Sequence, residues 1–125
     1  MKIIIETIPH SEQRYPTVGD WTFINEDNIS IRISNMNNWK YEFLVAFHEL
    51  IEVMLCKDRN IDQKVVDNFD IEYEANRMEN DFSEPGDSPS APYNKEHAFA
   101  TKMERKMAKE LNVDWREYDA KVSSL

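Results

Sequence analysis

Residues 43 to 56 read Phe-Leu-Val-Ala-Phe-His-Glu-Leu-Ile-Glu-Val-Met-Leu-Cys, and eleven of these fourteen are apolar. His48, Glu49 and Glu52 are the only polar interruptions. A stretch this greasy predicts a helix buried over most of its surface, because a solvated face does not carry Phe-Leu-Val-Ala-Phe before the polar residues and Val-Met-Leu-Cys after them. Burying a carboxylate without a partner costs several kcal/mol, so two carboxylates and an imidazole here require a compensating charge. A divalent cation is the simplest one.

Helical geometry agrees. At about 100° per residue, His48 and Glu52 stand one turn apart on a single face, while Glu49 is turned roughly 100° from His48 and flanks that face. His48 and Glu52 can reach one ion together, and Glu49 can reach a water bound to it. These five residues resemble the His-Glu-x-x-His helix of zinc-dependent hydrolases of the zincin group, with Glu52 in place of the second histidine. The resemblance implies that His48 and Glu52 bind the metal and that Glu49 is the general base. A carboxylate is an acceptable zinc ligand, yet exchanging imidazole for Glu52 shifts preference toward harder ions such as Mn²⁺ or Mg²⁺.

On either side of this stretch the sequence predicts α+β architecture in one domain spanning residues 1 to 125. Residues 2 to 8 are Ile-rich and read as a strand ended by Pro9, followed by a Pro- and Gly-marked loop over 10 to 20. Residues 21 to 24 and 29 to 34 have strand composition, with Asn25-Glu26-Asp27-Asn28 as a hairpin turn. The first third is therefore expected to be a small antiparallel sheet of about three strands. The central helix should run over residues 39 to 57, capped by Asn37 or Asn38. A second helix is expected over 61 to 78, with Asp62 as a possible cap and Val66, Phe69 and Tyr73 on its apolar stripe. Asp67, Asp70 and Glu74 line another face of it, either toward solvent or, for Asp70 or Glu74, as a distal ligand or its partner. Residues 81 to 93 hold three of the five prolines and form a loop too long for a simple connector. The third main helix is expected over 95 to 111, with Asn94 as cap and Phe99, Met103 and Met107 facing inward. Asp114 and Glu117 have capping-box spacing for a short terminal helix.

Lys and Arg number 15 against 24 Asp and Glu, a formal charge of −9. That balance disfavours nucleic acid and anionic membranes as partners, and no basic stripe with interleaved aromatics is present. No run approaches the length of a membrane span and residues 1 to 6 lack the apolar core of a secretory signal, so a soluble cytoplasmic protein is expected. The single cysteine, Cys56, excludes an internal disulfide framework and reads as a small buried apolar residue.

A metal held by two helical residues needs a third ligand, and the zincin pattern supplies it from downstream. His97 is the only histidine after the helix and falls in the first turn of the third main helix, where the helix dipole disfavours imidazolium and keeps the ring able to coordinate. His48, Glu52 and His97 would make a two-histidine, one-carboxylate set with an open position for water. Tyr93 either anchors its loop or, as aromatic hydroxyls do in several zincins, donates a hydrogen bond to a developing oxyanion. Glu96 reads as first-turn charge and His10 as surface. The order of elements is also similar to zincin-like domains, in which an edge strand beside the cleft pairs with substrate backbone; residues 29 to 34 would take that place. Over most of its length the chain resembles small uncharacterised phage and prophage proteins carrying His-Glu-Leu-Ile-Glu and a later Glu-Pro-Gly-Asp…Ala-Pro-Tyr…Glu-His stretch, here residues 48 to 52 and 84 to 97. That likeness implies no activity.

Three functions follow as expectations. The first is a zincin-like metal-dependent hydrolase of peptide or small amide bonds, with zinc, or else Mn²⁺ or Mg²⁺. The second rests on Glu49-x-x-Glu52 followed by Asp67-x-x-Asp70, which looks like the carboxylate layout of MazG-type nucleotide pyrophosphohydrolases; those hold Mg²⁺ against a triphosphate but are helical throughout. The third is a non-enzymatic acidic interaction protein of phage type.

Overall fold

The computed structural model describes all 125 residues. Three strands open the chain: β1 (Lys2–Ile8), β2 (Gly19–Asn25) and β3 (Asn28–Ser34). Four α-helices follow, α1 (Trp39–Asp58), α2 (Gln63–Ala75), α3 (Asn94–Glu110) and α4 (Trp115–Ser123). The expected α+β class and the order of sheet and helices are both present. No helix is long and apolar enough to cross a membrane.

The sheet differs from expectation in one strand direction. Its order is β1-β3-β2, with β2 antiparallel to β3 but β1 parallel to it, in the register Ile3 to Ile29 and Ile5 to Ile31. The sheet is therefore mixed rather than antiparallel. The long segment after Pro9, containing a single 3₁₀ turn at His10–Glu12, carries the chain back across the sheet so that β3 enters between its predecessors. A two-residue hairpin can only join antiparallel strands, whereas a longer connection permits either direction, and composition does not choose between them. Strand β3 is thus central, and β2 is the edge strand that approaches the helices; residues 29 to 34 do not occupy an edge.

Strict alternation in β3 has the consequence its pattern dictates. Ile29, Ile31 and Ile33 are fully buried, each worth about 1.5–3 kcal/mol of apolar burial, and they meet Leu44, Val53 and Cys56 in one core. Helix α1 starts where Asn38 accepts the backbone N–H groups of Lys40 and Tyr41 at 3.1 and 3.2 Å. It ends in a Schellman turn, in which Asn60 takes a left-handed φ of 55° and Ile61 N–H bonds Cys56 C=O at 2.9 Å. Helix α3 ends the same way, through Asn112 at φ 56° and a Val113 to Ala108 bond of 2.9 Å. Asparagine fills these positions because neither of the two glycines adopts a positive φ. Helix α2 is shorter than expected at both ends, and Asp62 caps it through Lys64 N–H.

Helix α3 meets α1 along a stripe turned from the expected one: Met107 does pack against the core, but Phe99 does not. Phe99 is 46 % exposed, and the buried stripe is His97, Ala100, Glu104 and Ala108. The cap is Tyr93 rather than Asn94, whose side chain instead donates to Gly86 C=O at 3.0 Å. Small and polar residues thus face the helix that carries His48 and Glu52.

A candidate metal centre between two helices

One face of α1 turns Leu44, Val45, Val53 and Cys56 toward the core and, on the same side, buries His48 and Glu52. Opposite them, the first turn of α3 presents His97, whose backbone N–H bonds Tyr93 C=O at 2.9 Å. All three side chains are buried, at 5 to 6 % exposure. Glu52 Oε2 lies 3.1 Å from His48 Nε2 and 2.9 Å from His97 Nδ1, and the two nitrogens are 3.2 Å apart. Three donors bound at about 2.0–2.2 Å in a tetrahedral shell stand roughly 3.3 Å from one another, so this triangle fits one small divalent ion. The three residues form a buried cluster able to hold a metal.

Each donor is held by a partner on its far side. His48 Nδ1 is 2.8 Å from Glu104 Oε1, and Tyr118 donates its hydroxyl to the other oxygen of Glu104 at 2.5 Å. A neutral His48 ring giving its Nδ1–H to Glu104 would turn the Nε2 lone pair inward, as in carboxylate–histidine–metal arrays. Trp21 Nε1–H donates to Glu52 Oε1 at 3.0 Å, which leaves Oε2 as the converging oxygen. His97 Nε2 faces Glu84 Oε2 at 2.9 Å and Asp87 Oδ1 at 3.2 Å.

Burial and the mutual charges of the cluster shift all three side chains from their ordinary pKa values. The helix dipole does not keep His97 neutral in the metal-free chain as expected: burial also works to lower its pKa, but the carboxylates of Asp87, Glu52 and Glu84 outweigh it and push it up to about 12. His48 behaves alike: burial works downward, and Glu104 and Glu52 carry it well above the ordinary histidine value. Burial would raise Glu52, yet hydrogen bonds from His48 and His97 bring it down to about 2. Without an ion, protons on the imidazoles supply the positive charge.

Glu49 sits beside the triangle, in the wall of a cavity of about 700 Å³ that also reaches His48, Glu52 and His97. Burial, and next the charge of Glu52, hold its pKa well above the usual carboxylate range. Strand β2 begins against it at Gly19, where a Cβ would stand 2.8 Å from both Cγ and Oε1 of Glu49. The other glycine, Gly86, lies against His97, where a Cβ would stand 2.4 Å from Cγ and 2.5 Å from Nδ1. Both glycines therefore allow a close approach to a site residue rather than an unusual backbone angle.

The remaining sequence candidates lie elsewhere in the same wall, except Glu96. Tyr93 is buried with its ring edge-on to His97, and its hydroxyl donates to Asp70 Oδ1 at 2.5 Å. Asp70 also accepts from Tyr15 at 3.1 Å, and burial is the main reason its pKa rises to about 7. Asp67 and Asp20 share Arg14, while Glu74 pairs with Arg77 at 2.7 Å. Glu96, read as first-turn charge, is buried against Arg59. His10 contacts Ser34 Oγ at 2.8 Å.

Trp21, Glu84, Asp87, Glu104 and Tyr118 escaped the sequence reading. Glu104 left a trace, since it follows His97 by seven residues and so returns to the same helical face. Trp21 left none, because its indole reaches Glu52 across 31 residues of sequence. No protein-family model matches this chain, and no curated protein or solved structure shows significant similarity to it.

Proposed function

We propose that this protein is a metal-dependent hydrolase acting on peptide or small amide bonds. The observation that carries the reading is the convergence of His48 Nε2, Glu52 Oε2 and His97 Nδ1 to within 3.2 Å of one another, on the wall of a cavity large enough for a substrate side chain and its backbone. A divalent ion held by these three would supply Lewis acidity and an acidified water. Zinc suits two imidazoles and one carboxylate, and Mn²⁺ is the alternative that the carboxylate favours.

The chain's own groups divide the remaining work. Glu49 is the general base: its carboxyl stands beside the triangle on the cavity wall, and its raised pKa makes it a stronger proton acceptor than an ordinary carboxylate, able to pass the proton on to the leaving amine. Glu104 fixes the orientation of His48, and Trp21 fixes that of Glu52. Tyr93 is better suited to positioning than to stabilising an oxyanion, because its one hydroxyl proton is engaged by Asp70.

Magnesium-dependent pyrophosphohydrolysis draws less support. Asp67 and Asp70, which it needs as ligands, are turned to Arg14 and to two tyrosines, and neither joins the buried triangle. A purely structural metal, in an interaction protein without turnover, is the reading the deep burial of the three donors favours.

One experiment separates these. Protein purified without a histidine tag is assayed for metals and for hydrolysis of a peptide library and of nucleoside triphosphates, as wild type and as Glu49→Gln. The proposal expects about one zinc or manganese per chain in both, with amide cleavage only in wild type. Retained metal with no amide cleavage by wild type would leave a structural metal standing and overturn the hydrolase. Pyrophosphate release with millimolar Mg²⁺, or no retained metal, would overturn the proposal.

A further inference from the structure

The metal-dependent reading leaves the other side of the His97 ring unexplained. Nε2 is buried and has no hydrogen-bond partner, although two carboxylate oxygens lie at 2.9 and 3.2 Å, because neither falls on the line of its N–H. A proton there is held by charge alone, with no aligned hydrogen bond. Three donors around one point, Glu84 Oε2, Asp87 Oδ1 and His97 Nε2, form a second set within 4.8 Å of one another.

The loop that brings them together is built for it. Pro85 stiffens the turn, and Gly86 lets the backbone lie on the imidazole, since any Cβ would meet the ring at 2.4 Å. Glu84 N–H bonds Asp87 Oδ2 at 3.3 Å, which leaves Oδ1 toward His97, and Asn94 ties Gly86 C=O to α3 at 3.0 Å. The side chains of Glu84 and Asp87 are 52 and 55 % exposed, whereas those of His48 and Glu52 are 7 and 6 % exposed. One ring thus spans an outer, solvent-facing set of donors and an inner, buried one.

We propose that Glu84, Asp87 and His97 Nε2 form an outer cation position through which the divalent ion reaches, and leaves, the buried triangle of His48, Glu52 and His97 Nδ1. A neutral imidazole has one nitrogen lone pair, so the two positions are alternatives for one ion rather than sites filled together. The ring exchanges which nitrogen carries its proton as the ion passes, and its net charge is unchanged. Two exposed carboxylates draw the hydrated cation from solution and replace part of its water shell before it enters the buried triangle.

The test uses the full-length chain loaded with Zn²⁺. Loss of zinc to a chelator and its replacement by Co²⁺ are timed for wild type, Glu84→Gln, Asp87→Asn, the double variant, and a charge-matched control, Glu72→Gln with Glu110→Gln. Removal of the outer carboxylates should slow both processes by about ten-fold in the double variant and less in each single one, while zinc content and the visible spectrum of the Co²⁺ form stay as in wild type. The control should exchange at the wild-type rate; should the double variant not fold, the single variants decide. Unchanged rates in the Glu84 and Asp87 variants would overturn the proposal while leaving the inner site standing, as would faster release, which would make the two acids retaining groups for the inner ion. Wild-type protein that retains no zinc at all would overturn the inner site and the outer one with it.

Discussion

Glu49 is the residue whose environment most separates function from stability. Burial disfavours its carboxylate more than the nearby imidazoles favour it, so Glu49→Gln should leave the melting temperature equal or higher and the metal content unchanged while turnover falls by about 10²–10⁴-fold. Thermal melting, metal analysis and amide hydrolysis measured on one preparation check this. Trp21→Phe keeps the apolar bulk but removes the N–H that orients Glu52, and metal affinity should weaken by about 10–100-fold in a competition titration with a chromophoric chelator. Of these residues, His48, Glu49 and Glu52 were legible because helical spacing is a local rule and their apolar neighbours made them conspicuous. Trp21 was not, because which atom an indole N–H meets depends on how a strand and a helix pack.

Among the elements, the loop before α3 and the inner stripe of that helix govern the site. A methyl at Gly86 would drive into the His97 ring, so Gly86→Ala should cost about 1–3 kcal/mol in chemical denaturation and should weaken the resident ion in step. Helix α2 contributes a pH dependence through Asp70, which burial raises from 3.8 to about 7 against the opposing hydroxyls of Tyr93 and Tyr15. A carboxyl with a folded pKa above its unfolded one gives its full stabilisation below pH 3.8 and loses it as pH climbs through about 7. Across that interval Asp70→Asn should gain melting temperature relative to wild type as pH increases, and a flat difference would show that Asp70 does not titrate there. The acidic line of Asp67, Asp70 and Glu74 was visible in the sequence, but periodicity cannot tell a solvated line from one facing Arg14, Tyr15 and Tyr93. In α3 the large apolar residues marked the inner face only in part: Met107 packs against the core, whereas Phe99 is exposed. Close approach of two helices favours Ala100 and Ala108, and the acid Glu104 is buried because His48 receives it.

The whole molecule is expected to bind its ion with proton release. In the metal-free protein the neighbouring carboxylates make both imidazoles hold their protons more tightly than an ordinary histidine does, so uptake should release protons and affinity should rise with pH. Calorimetry in buffers of different ionisation enthalpy reads the number directly. Chelation should lower the melting temperature by an amount that depends on ion concentration, because the ion binds only the folded chain. In metal-free protein the cluster itself adds an acid limb, opposite in sign to that of Asp70: Glu52, held down to about 2, stabilises above pH 4.5 and loses that contribution as pH falls through about 2.

The sequence by itself determined the α+β class, the strands as segments, the central helix with its cap, and the pairing of His48 with Glu52, all of which follow from periods of two and 3.6 residues and from local capping chemistry. Tertiary structure alone decided that β1 runs parallel to β3, that β2 is the edge beside the cavity, and that Trp21, Glu84, Asp87 and Glu104 surround the three donors. These are contacts between segments tens of residues apart, and their partners are selected by how faces pack together, which no local spacing encodes.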